Sequence, residues 1–479
     1  MNANSLMALM PILMLSLTAV VLMIQASFRR DQSVAWLITA LGFLLTLWGA
    51  GYAREFTQPV TVLLIVDDWG LFFTTLIVAA ALVTLILSRD TFSAEGERKE
   101  EYYLLLVLSV LGAVVLIQSS HMVSLLLGME LMGVALYAMI AFPEKGQQPL
   151  EAAIKYLVLS ACASAMLLYG FALLYAATGE LSYGGIGLKA ILVYEQNPML
   201  LMSGTAMVLA GIGFKLSVVP FHMWTPDVYE GAPTPVTGFL ATISKGAVFI
   251  ALTRFFVEGQ LYEYQSLMTA LSAVAIASML IGNWLALRQE NIKRLLAYSS
   301  IAHFGYLLVV LVALSSEAAE AALIRQAITF YLAAYVVTTL AAFSVVACIA
   351  GEDASKSQIA AFDGLFWRRR IQASSLTVAM LSYAGIPLTA GFVGKFYVIS
   401  VGIQSQLWWL LTSLVIGSAI SIYYYLRIVF TMTQSSGTAI RGQFSASTAS
   451  QDVLALLLLI LVLLLGSWPQ PFIEFAGHL

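Results

Sequence analysis

Cysteine is almost missing from this chain. Cys162 and Cys348 are the only two, they stand in separate apolar segments, and they form no CxxC pair. Each is read as small core filler, and thiol redox motifs and cysteine-ligated clusters are not expected. Histidine is scarce as well, at four (His121, His222, His303 and His478), with no CxxCH stretch to attach haem. A phosphate-binding loop is absent. Gly394-Lys395 has the ending of one, but Thr389 stands where G-x-x-x-x-G-K requires glycine, and no Ser or Thr follows the lysine. The sequence therefore offers neither a redox centre nor an ATP site, and uphill transport would draw its energy from elsewhere. Charge is thin: 10% of residues are charged, the net charge is −3, and no basic patch is interleaved with aromatics, so nucleic acid is not an expected partner.

What the chain has in abundance is apolar sequence, at 60% of residues and a mean hydropathy of +0.90. That composition belongs to an all-α polytopic membrane protein in a lipid bilayer. Apolar runs predict fourteen spans, near 5–27, 34–53, 68–88, 102–119, 122–142, 152–177, 199–220, 234–256, 265–287, 295–314, 323–350, 371–401, 407–430 and 452–468. The sixth, eleventh and twelfth are long enough to tilt or break. The first has no basic residue before it and Arg29 and Arg30 after it, unlike a secretory signal. With span ends soft by several residues, odd-numbered loops carry 16 basic residues (Arg29, Arg30, Arg89, Arg98, Lys99, Lys145, Lys155, Arg288, Lys293, Arg294, Lys356, Arg368, Arg369, Arg370, Arg427 and Arg441) and even-numbered loops 4 (Arg54, Lys189, Arg254 and Arg325), leaving 3 of the 23 inside spans. The positive-inside rule then puts both termini outside. Trp367 followed by Arg368, Arg369 and Arg370 reads as an inner-face anchor. No loop is long enough for a soluble domain, so residues 1–479 read as one membrane domain.

Residues 211–245, GIGFKLSVVPFHMWTPDVYEGAPTPVTGFLATISK, are the centre of the argument. Lys215 and Lys245 stand in apolar sequence on either side of a proline-rich break. Each lysine near the bilayer centre costs roughly 2.5–3.5 kcal/mol, so each needs a partner, a wet cavity or a task. Pro220 removes a backbone donor, and a helix break survives in lipid only inside protein or beside water. Span twelve breaks too: LSYAGIPLTAGFVGKFYVIS holds Gly385, Pro387, Gly391 and Gly394 just ahead of Lys395. The two broken spans are five apart and so face opposite ways, which points to two inverted five-helix repeats, spans 4–8 and 9–13, with an ion path at midplane. The segments become 1–100 (three N-terminal helices), 101–260 (first repeat), 261–432 (second repeat) and 433–479 (C-terminal helix). The glycines also have a packing reading, since small residues let helices approach closely.

Four ionisable residues stand well inside these spans: Glu130, Lys215, Lys245 and Lys395. Their summed insertion cost is roughly 10–14 kcal/mol before pairing. Lys215 is the expected partner of Glu130. A buried pair can serve helix register alone, yet one acid and three lysines favour a proton or ion path. Burial can strip a lysine of its proton and a nearby carboxylate can restore it, whereas arginine stays charged. All three expected in-span cations are lysine. His303, among Tyr298, Ser299, Ser300 and Tyr306, and His222 are relay candidates that could equally be hydrogen-bonded packing. Lys155 either snorkels to the surface or joins the buried line. Asp227 and Glu230 read as structural loop residues near the break.

FKLSVVPFHMWTPDVYEGAPTPVTGFLATISK, NIKRLLAYSSIAHFGYLLV and AGIPLTAGFVGKFYV resemble the antiporter-like membrane subunits of bacterial respiratory complex I, the NADH–quinone oxidoreductase. The likeness is strong from about 100 to 430. The resemblance implies fourteen helices, inverted five-helix repeats and one proton channel. It also implies a glutamate–lysine pair at Glu130 and Lys215, a central lysine at Lys245, a span-twelve lysine at Lys395 and a span-ten histidine at His303. It places the chain in the bacterial inner membrane beside a neighbouring antiporter-like subunit and small membrane subunits. Flavin, iron–sulfur clusters and quinone belong to other subunits. The expected function is proton translocation driven by quinone reduction elsewhere. An Mrp-type cation/proton antiporter and a membrane subunit that moves nothing are the rival readings.

Overall fold

A computed structural model describes residues 3–28, 30–91, 99–143, 147–316, 318, 320–350, 357–434 and 448–479. Arg29, Arg98, Lys145, Lys356 and Arg441, used above to orient the loops, lie outside them. The chain is a helical multi-pass membrane protein. Its helices are α1 (Met10–Phe28), α2 (Gln32–Ala53), α3 (Asp68–Thr91), α4 (Lys99–Ile117), α5 (Met122–Ile140), α6 (Gln147–Thr178), α7 (Pro198–Leu216) and α8 (Thr234–Glu258). Then follow α9 (Gln265–Ala286), α10 (Ile292–Val312), α11 (Ala321–Ala350), α12 (Arg370–Ala384), α13 (Ala390–Gln404), α14 (Trp408–Thr433) and α15 (Ala449–Ser467). A two-residue antiparallel ribbon, Gln58–Pro59 with Ile65–Val66, is the one piece of sheet among the described residues.

Thirteen helices among the described residues are long and apolar enough to cross a membrane. The remaining expected run, the twelfth at 371–401, is two shorter helices, α12 and α13. Gly385 ends α12 in the left-handed region (φ 82°), and Leu388 follows with φ 72°. The broken end is covered by protein. Gly391 N–H donates to Ser382 Oγ at 2.9 Å, and Gly466 of α15 lies against Thr389. The other expected break falls earlier than proline predicts: α7 stops at Leu216, Ser217 has φ 62°, and the Val219–Pro220 peptide is cis. The short helix Trp224–Gly231 follows.

Local chemistry starts several helices. Asp31 caps α2 by accepting from Ser33 N and Val34 N, and Asn291 caps α10 by accepting from Lys293 N and Arg294 N. Thr448 and Gln451 form a capping box at α15. His121 Nδ1 accepts from Val123 N at 3.1 Å at the start of α5. Burial pushes its imidazole below the ordinary value, and Glu180 offsets this in part.

The chain groups into two compact units. One holds α1, α2, most of α3, α4–α7 and the part of α8 from Ile243; the other holds 217–242 and the chain from Met268 onward. In the first, α6 packs on α7 and α4 on α5. Both seams are glycine-lined: Gly112 and Gly128 bring α4 and α5 into backbone contact, and Gly170 and Gly204 do so for α6 and α7. In the second, α11 packs on α12, α13 and α15. α8 and α10 are wholly buried, whereas α1 and α15 bury only about a quarter of their apolar stretch (28% and 22%).

α8 is not uniform. Thr234–Phe239 is α-helical, Leu240–Ser244 is a π turn, and Lys245–Glu258 is α-helical again. Lys245 is thus the first residue past an overwide turn, a device often found at functional sites.

Candidate functional site

In the first unit the buried charge is built on one face of α6. Tyr156, Ser160 and Ser164 recur every fourth residue, so they stack along that face. Lys215, in the last turn of α7 and 2% exposed, donates from Nζ to Ser160 Oγ at 2.7 Å. Tyr137 of α5 donates to the same oxygen, also at 2.7 Å. One turn along, Ser164 Oγ donates to Glu130 Oε1 in a short hydrogen bond. The acid and the amine expected to pair therefore end on two serines of a third helix. The rings of Tyr137 and Tyr156 complete the pocket, their centroids 6.0 and 5.5 Å from Lys215 Nζ, within or at the reach of a cation–π contact. Gly133 leaves the room: a Cβ there would lie 3.2 Å from both Lys215 Nζ and Tyr137 Oη. Lys245, in the same unit, is 1% exposed on a helix that packs against α4 and α7.

Lys155, read from the sequence either as a surface residue or as part of the buried line, stands off the face that carries Ser160 and Ser164. It neighbours Tyr156 and so points about 100° away on the helix. It pairs with Glu151 at 2.8 Å, and its side chain is 42% exposed.

In the second unit Lys395, 6% exposed, closes a helix it does not belong to. Its Nζ donates to Tyr383 O at 2.9 Å and Ala384 O at 3.2 Å, the last carbonyls of α12, and lies 5.3 Å from the Tyr306 ring centroid. Those carbonyls have no partner within their own helix and carry its negative dipole end, so an ammonium suits them on both counts. Gly385 admits the arrangement, since a Cβ there would come 3.0 Å from Lys395 Cδ. His303, also buried, sits in a cage of tyrosines from four helices: Tyr306, Tyr331, Tyr335, Tyr383 and Tyr425. His222 is buried in the turn after Ser217, where Thr225 N donates to its carbonyl.

Two readings of the sequence are corrected here. Arg254 and Lys293 were expected in loops, and the in-span cations were expected to be lysine alone. Both lie within helices and are buried. Arg254 binds Asp67 in a short ion pair, donates from Nε to Ile117 O at 2.7 Å, and lies 5.5 Å from the Trp69 ring. Lys293 Nζ donates to Glu230 O (3.1 Å) and Ala232 O (2.7 Å), capping the short helix Trp224–Gly231. Asp227 and Glu230 lie on that helix and pair with Arg294 at 2.7 and 2.9 Å. Both arginine and lysine sit near span ends, where an apolar-run boundary is uncertain by more than one turn. Ser160, Ser164, Tyr137 and Tyr331 were not singled out in the sequence. A period-four stripe of small polar residues in KYLVLSACASA was the available signal for the serines.

Among the described residues no three His, Cys, Asp or Glu side chains gather as a metal site. The fold and the buried amines define a membrane protein of the antiporter-like kind. Residues 119–421 match the family described as NADH:quinone oxidoreductase/Mrp antiporter, TM. NADH-quinone oxidoreductase subunit N from Methylococcus capsulatus is 44% identical over 479 residues, covering 100% of this chain and 96% of that protein. A chain of respiratory complex I from Thermus thermophilus, solved with bound aureothin, matches at TM-score 0.82 and 32% identity, covering 97% of this chain and 99% of that one. A chain of the Mrp complex from Dietzia sp. DQ12-45-1b shares the fold at TM-score 0.83 and 18% identity, covering 100% and 97%. The chain belongs to the subunit N family of NADH-quinone oxidoreductase, the antiporter-like subunits of the membrane arm.

Proposed function

We propose that this protein translocates protons within the membrane arm of an NADH–quinone oxidoreductase, driven by quinone reduction in other subunits. Flavin, iron–sulfur clusters and quinone are held by those partners, and this chain carries no redox centre. Glu130 gates the charge on Lys215, Lys245 passes the proton along the midplane, and Lys395 releases it toward the outside. His303 and His222 serve as relays. The chain sits in a bacterial inner membrane with both termini outside, and spans 4–8 and 9–13 are inverted repeats.

The observation that carries this reading is the serine pair. Ser160 and Ser164 hold Lys215 and Glu130 one turn apart, near enough for charge to be felt and too far for a locked ion pair. A fixed structural pair would place carboxylate on ammonium directly, whereas hydroxyls both accept and donate and so leave the amine free to change state. Each proton moved against 100 mV costs about 2.3 kcal/mol, which the coupled redox reaction supplies.

The test uses the assembled complex in sealed vesicles. NADH-driven, inhibitor-sensitive acidification that is lost in Lys245→Ala with normal assembly is the expected result. Na⁺/H⁺ exchange by the purified chain without NADH would instead favour an Mrp-type antiporter. Unimpaired pumping by Lys245→Ala would favour a membrane subunit that moves nothing.

A further inference from the structure

His303 is held at both ring nitrogens by phenols. Nδ1 lies 2.6 Å from Tyr331 Oη, and Nε2 lies 3.3 Å from Tyr425 Oη. Tyr425 Oη shares a short hydrogen bond with Ser299 Oγ. All four side chains are buried, and they come from α10, α11 and α14. The rings of Tyr306, Tyr335 and Tyr383 close around the imidazole at 5.5, 5.6 and 5.2 Å between centroids, so bulk water is kept off it.

The choice of partners is informative. A histidine kept for packing or for a fixed tautomer is served by a partner that can only accept, a backbone carbonyl or a carboxylate. Here both partners are hydroxyls, each able to donate or accept. The pair therefore satisfies either neutral tautomer, and it satisfies the imidazolium, in which both nitrogens donate. Neither hydrogen-bond partner has to be replaced when the ring changes its protonation state.

We infer that Ser299, Tyr425, His303 and Tyr331 form a side-chain proton wire in which Tyr331 and Tyr425 are relay residues. This deepens the proton-path reading above and rests on it. A proton reaching the lone pair of Tyr425 Oη forms a new O–H bond, and the original one breaks as its proton passes to Nε2. The Nδ1–H bond then breaks, and that proton goes to Tyr331 Oη, which releases its own. One proton enters, one leaves, and no electron moves. The acceptor beyond Tyr331 is water: a cavity lined by His303, Tyr331, Tyr335, Ser382, Tyr383 and Gly391 has about 10 Å³ of space for a water centre, room for roughly one molecule. Rotation of the hydroxyls and exchange of the imidazole tautomer reset the chain.

The far end of the wire lies at the helix that carries Lys395. Tyr331 packs against Gly394, where a Cβ would come 3.1 Å from its ring, and the cavity shares Tyr383 with the carbonyl that Lys395 caps. The wire thus exchanges protons with the Lys395 end of the path, and Ser299 is its other terminus.

Tyr331→Phe and Tyr425→Phe keep the ring and remove the hydroxyl. In the assembled complex in vesicles, each is expected to lower NADH-driven acidification about tenfold with normal assembly, as losing one working hydrogen bond would. The pumping that remains should show a larger slowing in heavy water than the native complex does, a change that loss of packing would not cause. His303→Gln is the second variant, since its amide can hold both hydroxyls but cannot pass a proton; it should fall as far. Native pumping rates in His303→Gln, or in both phenylalanine variants, would overturn the wire. If Lys245→Ala abolishes pumping in the same preparation, the proton path survives that outcome; if Lys245→Ala also pumps normally, the path itself fails.

Discussion

Lys395 Nζ lies 2.9 Å from the carbonyl oxygen of Tyr383, so a residue of α13 caps the C-terminus of α12. The amine does two things at once, neutralising a helix end and standing on the proposed path. Lys395→Met should leave two buried carbonyls without a donor and cost about 1–3 kcal/mol, read as a lowered melting temperature of the assembled complex. Lys395→Arg should recover much of that stability but not pumping, because arginine does not surrender its proton. Full acidification by the arginine variant would contradict this.

Ser160 takes hydrogen bonds from both Lys215 and Tyr137, whereas Ser164 serves Glu130 alone. Ser160→Ala should therefore be the more damaging change, lowering acidification by about tenfold through the loss of a charged hydrogen bond. Ser160→Thr, which retains the hydroxyl, should restore it. Equal rates in Ser160→Ala and the native complex would rule out the serine as a link.

Arg254 and Asp67 test architecture separately from transport. Arg254→Met strands a carboxylate and the Ile117 carbonyl, at a cost of about 3 kcal/mol, the low end for a buried pair because Asp67 is partly exposed. Asp67→Leu combined with Arg254→Met should recover only part of the loss: the Asp67 charge is removed, but Glu258, 3.6 Å from the same guanidinium, still loses its partner. The yield and thermal stability of the assembled complex are the readouts.

His121 gives a pH dependence with a definite sign. The fold lowers the tendency of its imidazole to charge, so the neutral ring is the form that caps α5. The capping contribution is whole above the ordinary histidine pKa of about 6.5 and declines as the pH falls below it. Hydrogen exchange at Val123, corrected for intrinsic rate, should speed up on acidification in the native protein and lose that trend in His121→Asn. An unchanged trend in the variant would exclude the cap as its source.

The spans were legible because lipid leaves the backbone little choice but helix, so apolar length alone locates thirteen of them and the broken region at 371–401. Lys215, Lys245 and Lys395 were visible for the same reason: charge in such runs stands out. The finer points were hidden. Pro220 advertises a break, yet α7 ends at Leu216, and the positive φ of Ser217 just after it leaves no compositional mark. Arg254 and Lys293 were misplaced because a cation near a span end looks like one in a loop until its carbonyl partners are known. The phenols on His303 come from positions 331 and 425, and no local pattern ties residues so far apart.

The π turn at 240–244 sets the compass bearing of everything beyond it on α8. An α-helix advances about 100° per residue, so one residue absorbed in a wider turn swings the Lys245 amine by roughly that angle from the bearing an unbroken α-helix would give it. Removing one position from the turn would give a regular helix with the amine still on its present bearing, whereas tightening all five residues of Leu240–Ser244 into α geometry would aim it at a different neighbour.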